Sequence, residues 1–384
     1  MGFEGAICLV GDEGRFPYQR PPLSKDFLKG QLEEADLYFR PEHYFDEILV
    51  ECHLADPAVD VDRARRTVTL ASGRTCAYDH LVFATGARNR IPPIANIGAD
   101  GVAGLRTCAD AGRLSLQMAA GQSFAVIGAG FIGLEFASAA AEKGCRVTVL
   151  EAGPRAMSRS LSEGMAGYLV RKLAGKGVDF RFGASVEEVC MKDGRASGVR
   201  ADGAEIDSDL VLLCAGVSPN TDLAARSGLD CSHGIVVDEN LRTGDPAISA
   251  IGDCASYPSI RSGTRLLLES VQNATGQARH LAGHLTGRGA ESVYDDVPWF
   301  WSEIAGQKLQ IAGAAVGADS SVVRGDPATD RFSIFRYAGN RLVAVESMNA
   351  PADHMAGRKL VASPYCLAPH QAVDPHFDLK SALP

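Results

Sequence analysis

Short apolar runs recur along the chain: Ala6–Val10, Leu81–Ala84, Phe124–Ile127 and Leu210–Ala215 are unbroken, and Ile248–Ile251 is interrupted only by Ser249. Each stops at glycine, threonine-glycine or glycine-aspartate. Runs this short and this continuous predict strands buried on both faces, as in a parallel sheet. Longer segments between them carry helical periodicity, predicted over about 132–143, 161–175 and 269–285. Turn signals at Ser72-Gly73, Asp193-Gly194 and Asp202-Gly203 predict hairpins. Towards the C-terminus, Phe332–Tyr337 and Leu342–Met348 predict strands, and 352–362 predicts a helix. The alternation is that of an α/β protein with Rossmann-like nucleotide-binding domains and a smaller α+β domain at the end.

One segment combines three of these signals. Residues 124–151 read FAVIGAGFIGLEFASAAAEKGCRVTVLE. A buried strand runs into Gly128-x-Gly130-x-x-Gly133, a helix follows from about Ile132 to Lys143, and Gly144 ends it. The strand Arg146–Leu150 comes next and closes on Glu151. The glycines allow the tight turn, close backbone approach to a pyrophosphate, and close helix–strand packing. The helix N-terminus offers free N–H groups and the positive end of its dipole. Glu151 stands near the roughly 20-residue spacing expected of an acid that holds a ribose 2′-hydroxyl. A carboxylate there disfavours a 2′-phosphate, so NADH is expected over NADPH. Arg155 and Arg159, on the following loop, either reach the cofactor or stay solvated. The stretch from Ser123 to Ala141 also mimics a membrane span in hydropathy, but its glycines are accounted for by the fingerprint.

The chain then proves to repeat itself. Asp79-His-Leu-Val-Phe-Ala-Thr-Gly86 matches Asp209-Leu-Val-Leu-Leu-Cys-Ala-Gly216 step for step, and GAICLVGDEG at the front matches GCRVTVLEAG. Two copies of one nucleotide-binding domain are therefore expected. The first copy has no counterpart to the strand, glycine loop and helix that open the second. A unit of ~30 residues implies that roughly 20–25 are missing there. Either Met1 lies inside a longer reading frame, or the first copy lacks its opening βα element.

Composition narrows the class. The 384 residues allow two or three domains, and 46% of them are apolar. A net charge of −9 argues against a nucleic-acid binder. The 10 cysteines are scattered with no C-x-x-C pair, which fits a reducing cytoplasm and no disulfide scaffold. Cys8 and Cys254 read as small buried residues. His280 and His284 are spaced to share a metal, but no third ligand is near in sequence, so no metal site is expected and the pair is placed facing solvent. Arg171, Lys172, Lys176 and Arg181 form a basic cluster, as do Arg358 and Lys359; a solvated face is the default reading, contact with an acidic partner the other.

The strings PYQRPPLSKDFLKG (17–30), LVFATGA (81–87), LRTCADA (105–111), AISAIGDCA (247–255), LLESVQNATGQA (267–278) and PWFWSE (298–303) narrow it further. Together they resemble the FAD-dependent ferredoxin reductases of bacterial oxygenase systems, of the putidaredoxin and rubredoxin reductase kind. The resemblance runs along essentially the whole chain, as an N-terminally truncated member. It implies FAD and NADH as cofactors, and a [2Fe–2S] ferredoxin or rubredoxin-like acceptor as partner. It implies no nucleic acid and no membrane, and leaves a homodimer open. By the same resemblance, FAD is expected at Asp12, Arg20, Lys25, the Ala58 backbone, Thr85, Gly86, Arg106, Asp253, Val271 and Trp301. NAD contacts are expected from Gly128, Gly130, Ile132, Gly133, Glu135, Glu151, Arg159 and Gly216. Lys25, Glu135 and Trp301 are the expected catalytic group. The implied domains are FAD-binding over 1–110 and 235–290, NAD-binding over 111–234, and a reductase domain over 291–384.

Two departures stand against the resemblance. The family's first glycine loop is not in this chain. After Trp301, SEIAGQKLQIAG replaces the tyrosine-containing pattern expected there. The rival readings are an NADH oxidase reducing oxygen, a redox-signalling NADH binder like the apoptosis-inducing factors, and an inactive truncated form. Disulfide reductases of the same architecture need a redox cysteine that Pro21–Lys25 does not contain.

Overall fold

A computed structural model describes residues 3–288, 293–363 and 367–383. The chain divides into two compact units. The first takes Met1–Arg20, Glu33–Arg88 and Val217–Asp296, the second Pro21–Leu32, Asn89–Gly216 and Val297–Pro384.

In the first unit the buried runs pair as parallel strands. Ile7–Val10 lies beside Val50–His53, with Cys8 opposite Glu51 and Val10 opposite His53. Leu81–Phe83 lies beside Ile248–Ala250. An antiparallel meander of Ala58–Asp62, Thr67–Leu70 and Thr75–Ala77 covers the Ser72-Gly73 turn signal. The helix Val271–Leu285 starts where Ser270 accepts the Asn273 N–H, so the chain needs no further cap there. Val61, Leu70, Phe83, Ile235, Ile248, Tyr257 and Leu281 share one core. Cys254 is buried as expected, but Cys8 is exposed: it sits in the exposed half of its strand, Ile7-Cys8.

In the second unit a five-stranded sheet is parallel throughout, ordered Asp179–Phe182, Arg146–Glu151, Ser123–Ile127, Leu210–Leu213, Val102–Gly104. Phe131–Glu142 is the helix of the fingerprint, and its Leu134, Phe136, Ala137 and Ala140 have no exposed surface. The membrane-like stretch is thus a buried strand and a buried helix. Among the described residues no helix is long and apolar enough to cross a membrane. Glu163–Ala174 is capped by Ser162, which accepts the Met165 N–H. Both predicted hairpins form, and Asp193, Gly194, Asp202 and Gly203 all take positive φ. That is the geometry such two-residue turns require.

The same unit carries a five-stranded antiparallel sheet ordered Trp299–Ile304, Gln307–Gly313, Arg341–Met348, Arg331–Ala338, Ser320–Asp326. Pro351–Ala362 packs on it, and at Gly357 a Cβ would stand 2.9 Å from Val345 Cβ, so only glycine permits the approach. Two of these strands are predicted from the pattern and three are not. The first hairpin turns through Ala305-Gly306, at φ +57 and +75, a weaker turn signal than the Asp-Gly pairs of the other hairpins. The edge strand Ser320–Asp326 is mostly exposed and so lacks an apolar alternation.

Candidate functional site

The glycine loop is built as its spacing predicts. Gly128 takes φ +109, and a Cβ there would fall 2.3 Å from the Cys214 carbonyl oxygen. At Gly133 a Cβ would fall 2.2 Å from the Gly128 oxygen. These two glycines are therefore fixed by packing. Gly130 differs: it is the N-cap of the helix, has no side-chain cap, and a Cβ on it would meet nothing within 4 Å. The first-turn N–H groups of a twelve-residue helix thus open onto space beside a residue without a side chain, which is what a pyrophosphate cradle needs. The residues present fit a dinucleotide. Ile132, in that first turn, is 41% exposed.

Glu151 ends its strand beside the loop and is anchored at both oxygens. It accepts the Ala129 N–H and the Gly153 N–H, each at 2.8 Å. Arg159 is exposed, with its guanidinium 3.6 Å from where a Gly216 Cβ would stand. Arg155 does neither thing expected of it: its guanidinium donates to the carbonyls of Ala156, Ser158 and Leu161 and staples its own loop.

One turn further along the helix sits Glu135, 3% exposed. Lys25 Nζ lies 2.7 Å from its carboxylate, and the Lys25 side chain is only 11% exposed. Ser302 donates to the same carboxylate at 2.6 Å, and Ser24 donates to it as well. Lys25 Nζ also lies 5.2 Å from the centre of the Trp301 ring. The three catalytic candidates therefore meet in one cluster. Two serines complete it that sequence reasoning passed over, although both stand inside strings already singled out. The strand Trp299–Ile304 is held against the helix by the Ser302–Glu135 bond, by Ala305 N–H donating to Ser138, and by Phe131 against Phe300. The SEIAG stretch, different in sequence from the expected pattern, supplies two of those ties. Arg106 belongs to this unit too, one residue before the Thr107 cap of the helix Cys108–Gln117.

Most of the remaining flavin candidates lie in the first unit. Arg20 pairs with Glu13, and its ring neighbour Tyr18 hydrogen-bonds the same carboxylate. Burial works against the Arg20 charge, but Glu13, Tyr18 and Asp253 together raise its pKa above the usual value. Asp253 lies in a turn whose Gly252 N–H donates to Gln277 at 2.7 Å, on the helix that Val271 begins. The thiol of Cys254 contacts Thr85 and the Gly86 backbone. Arg20, Thr85, Gly86, Asp253 and Val271 thus surround one turn–helix junction. Val271 is 37% exposed at the start of a fifteen-residue helix. A half-exposed helix N-terminus beside an acid suits an anionic, hydroxyl-bearing group such as a flavin.

Asn220 is a further residue that sequence reasoning missed. It donates to the Thr85 carbonyl at 2.8 Å and accepts the Arg88 guanidinium at 2.9 Å. Asp12 is exposed, whereas its neighbour Glu13 takes Arg20 and Tyr18. Ala58 opens the meander two residues past Asp56, whose N–H donates to the Gly11 carbonyl at 3.1 Å.

One other expectation changes. His280 and His284 are half-buried, not solvent-facing: their rings stack at 6.4 Å, and His280 also meets Tyr294. The basic cluster keeps its default place at the surface, with Arg171, Lys176 and Arg181 exposed and with ion pairs of Lys172 to Asp330, Lys176 to Glu142 and Arg181 to Asp179. Arg358 lies over the Trp299 ring at 4.7 Å.

A parallel sheet with a glycine loop, an anchored acid at its strand end and an antiparallel reductase-type sheet define a mixed α/β pyridine-nucleotide oxidoreductase. Residues 2–278 match the pyridine nucleotide-disulphide oxidoreductase family, and 299–383 match the reductase C-terminal family. The chain belongs to the pyridine nucleotide-disulphide oxidoreductase family. It is 49% identical over 383 residues to rhodocoxin reductase of Rhodococcus erythropolis, covering 100% of this chain and 89% of that protein. Among solved structures it is similar to the ferredoxin reductase for the CYP199A2 system of Rhodopseudomonas palustris, with TM-score 0.95 and 43% identity over 100% of this chain and 94% of that one. It is also similar to putidaredoxin reductase in its covalent complex with putidaredoxin, with TM-score 0.96 and 33% identity over 99% and 92%.

Proposed function

We propose that this protein is an NADH-dependent flavoprotein reductase that delivers electrons to a ferredoxin-type iron–sulfur protein of an oxygenase system. The observation that carries the reading is the buried Lys25–Glu135 pair, set one turn beyond an open glycine loop and against Trp301. Similarity along nearly the whole chain to rhodocoxin reductase and to a putidaredoxin reductase crystallised with putidaredoxin supports it.

FAD, when bound, accepts a hydride as an electron pair and releases the electrons singly. The protein's part is binding, charge and orientation. Gly128, Gly130 and Gly133 let a pyrophosphate approach the helix end, Ile132 stands in its first turn, and Glu151 sets the ribose preference for NADH. Arg159 and Gly216 close the dinucleotide side. Glu135 and the hydroxyls of Ser24 and Ser302 hold Lys25 in one place, so a fixed positive charge stands ready where negative charge develops. Trp301 supplies a flat apolar wall beside that charge. Asp12, Arg20, Ala58, Thr85, Gly86, Arg106, Asp253 and Val271 hold the flavin. In this reading FAD belongs to 1–110 and 235–290, NADH to 111–234, and 291–384 completes the reductase of a cytoplasmic protein.

The test is a visible spectrum of the purified protein with FAD added, before and after NADH. Retained flavin bands that bleach on NADH addition support the reading. A protein that retains no flavin after FAD addition overturns it for this chain.

A further inference from the structure

Three soft ligand groups from distant parts of the sequence converge in the first unit. The ligand atoms of Cys8, His53 and Cys76 all lie within 4.8 Å of one another. The convergence follows from the register. Cys8 and Val10 share one face of their strand, and their parallel partners are Glu51 and His53. Side chains alternate along a strand, so Cys8, Glu51 and His53 project to the same side. Cys76 comes from the last strand of the meander, and its thiol is hydrogen-bonded to that of Cys8. His53 Nε2 lies 2.9 Å from Glu51 Oε1, and the His53 side chain is only 13% exposed. An imidazole tethered to a carboxylate is the usual outer arrangement of a metal-binding histidine.

We propose that Cys8, His53 and Cys76 form a binding site for a thiophilic divalent cation of the zinc class. Two thiolates and one imidazole are a ligand set that zinc favours, with a fourth position open to water. Their mutual spacing needs only a small contraction to reach the ~2.3 Å Zn–S and ~2.0 Å Zn–N distances of such sites. As the ion enters, the Cys8 and Cys76 thiols each lose a proton to solvent, and the ion takes their place. Its three ligands belong to the first unit, whereas the glycine loop and the Lys25–Glu135 cluster belong to the second. The sequence expectation of no metal rested on ligands close together in the chain; here the sheet register, not sequence spacing, assembles them. A Cys8–Cys76 disulfide would use the two sulfurs alone. The convergence of His53 and its carboxylate on the same point favours a metal.

The experiment adds cobalt chloride to reduced, metal-stripped protein. Tetrahedral d–d absorption and a thiolate-to-cobalt charge-transfer band, saturating at one equivalent and bleached by zinc chloride, are expected. Cys8→Ser and Cys76→Ser should each abolish the charge-transfer band, and His53→Gln should weaken binding by about tenfold or more. His53→Gln leaves both cysteines in place and keeps the test alive if a cysteine variant fails to fold. Cys190→Ser, in the other unit, should change nothing. A spectrum of octahedral cobalt only, a band unaffected by these three variants, or a Cys8–Cys76 disulfide that forms in the presence of zinc would each overturn the proposal.

Discussion

The Lys25–Glu135 pair makes a quantitative prediction. The two charges stand 2.7 Å apart with side chains 11% and 2% exposed. At that distance and an effective dielectric of about 20, their attraction is on the order of 6 kcal/mol. Most of it offsets the desolvation of both ions, so the pair's net worth is far smaller. Breaking it from one side leaves the other ion buried without its partner. Lys25→Met strands a carboxylate that retains only the Ser24 and Ser302 hydroxyls. Glu135→Gln strands an ammonium. Each single variant should lose about 3–5 kcal/mol of stability. The double variant removes both charges and keeps an acceptor for the serines, so it should be more stable than either single. Urea unfolding followed by tryptophan fluorescence reads this directly, because both tryptophans, Trp299 and Trp301, lie in the same unit as the pair. Single losses below about 1 kcal/mol that simply add would place the pair with ordinary exposed ion pairs and refute the reasoning.

The glycine loop separates packing from binding. Gly130→Ala should fold normally, since its Cβ meets nothing, yet raise KM for NADH at least about tenfold by filling the cradle; Gly128→Ala, whose Cβ falls 2.3 Å from a carbonyl oxygen, should lower Tm as well. Steady-state kinetics and thermal melts of both variants check this. Glu151→Ala frees the Ala129 and Gly153 N–H groups, so it should narrow the preference for NADH over NADPH while raising KM for both, measured as the ratio of kcat/KM. His354 gives a pH prediction. It is 1% exposed beside Trp299, and burial, then Arg358 and Lys308, push its pKa from 6.5 down to about 4. The unfolded state therefore binds the proton more readily, and stability should fall as pH drops from about 6.5 towards 4, by roughly 3 kcal/mol from this group. His354→Gln should flatten that stretch of the stability–pH curve; an unchanged slope contradicts the assignment.

Much of the fold was legible because parallel strands announce themselves. Phe124–Ile127 and Leu210–Leu213 are continuous apolar runs, Ile248–Ala250 is broken only by Ser249, and all three are strands. The hairpins at Asp193-Gly194 and Asp202-Gly203 were equally plain, since positive φ at both positions restricts the residue choice. The terminal antiparallel sheet was only partly visible. Its first turn, Ala305-Gly306, is a weaker signal than an Asp-Gly pair, and its edge strand faces solvent. In the site, the family resemblance pointed to Lys25, Glu135 and Trp301 but not to what binds them together. Ser24 and Ser302 are small polar residues whose role appears only when three distant segments meet around one carboxylate. The same holds for Asn220 beside Thr85, and for Glu13, which takes Arg20 where the eye falls on Asp12. Arg155 shows the converse: placed near the loop by sequence, it spends its donors on its own backbone.

The most direct test of the central claim is NADH oxidation by the FAD-supplied protein, followed anaerobically with increasing [2Fe–2S] ferredoxin. The account predicts that NADH consumption rises and saturates with ferredoxin, with two ferredoxins reduced per NADH, and that Glu135→Gln lowers the maximal rate. NADH consumption that does not depend on ferredoxin, in a protein that retains its flavin, would contradict it.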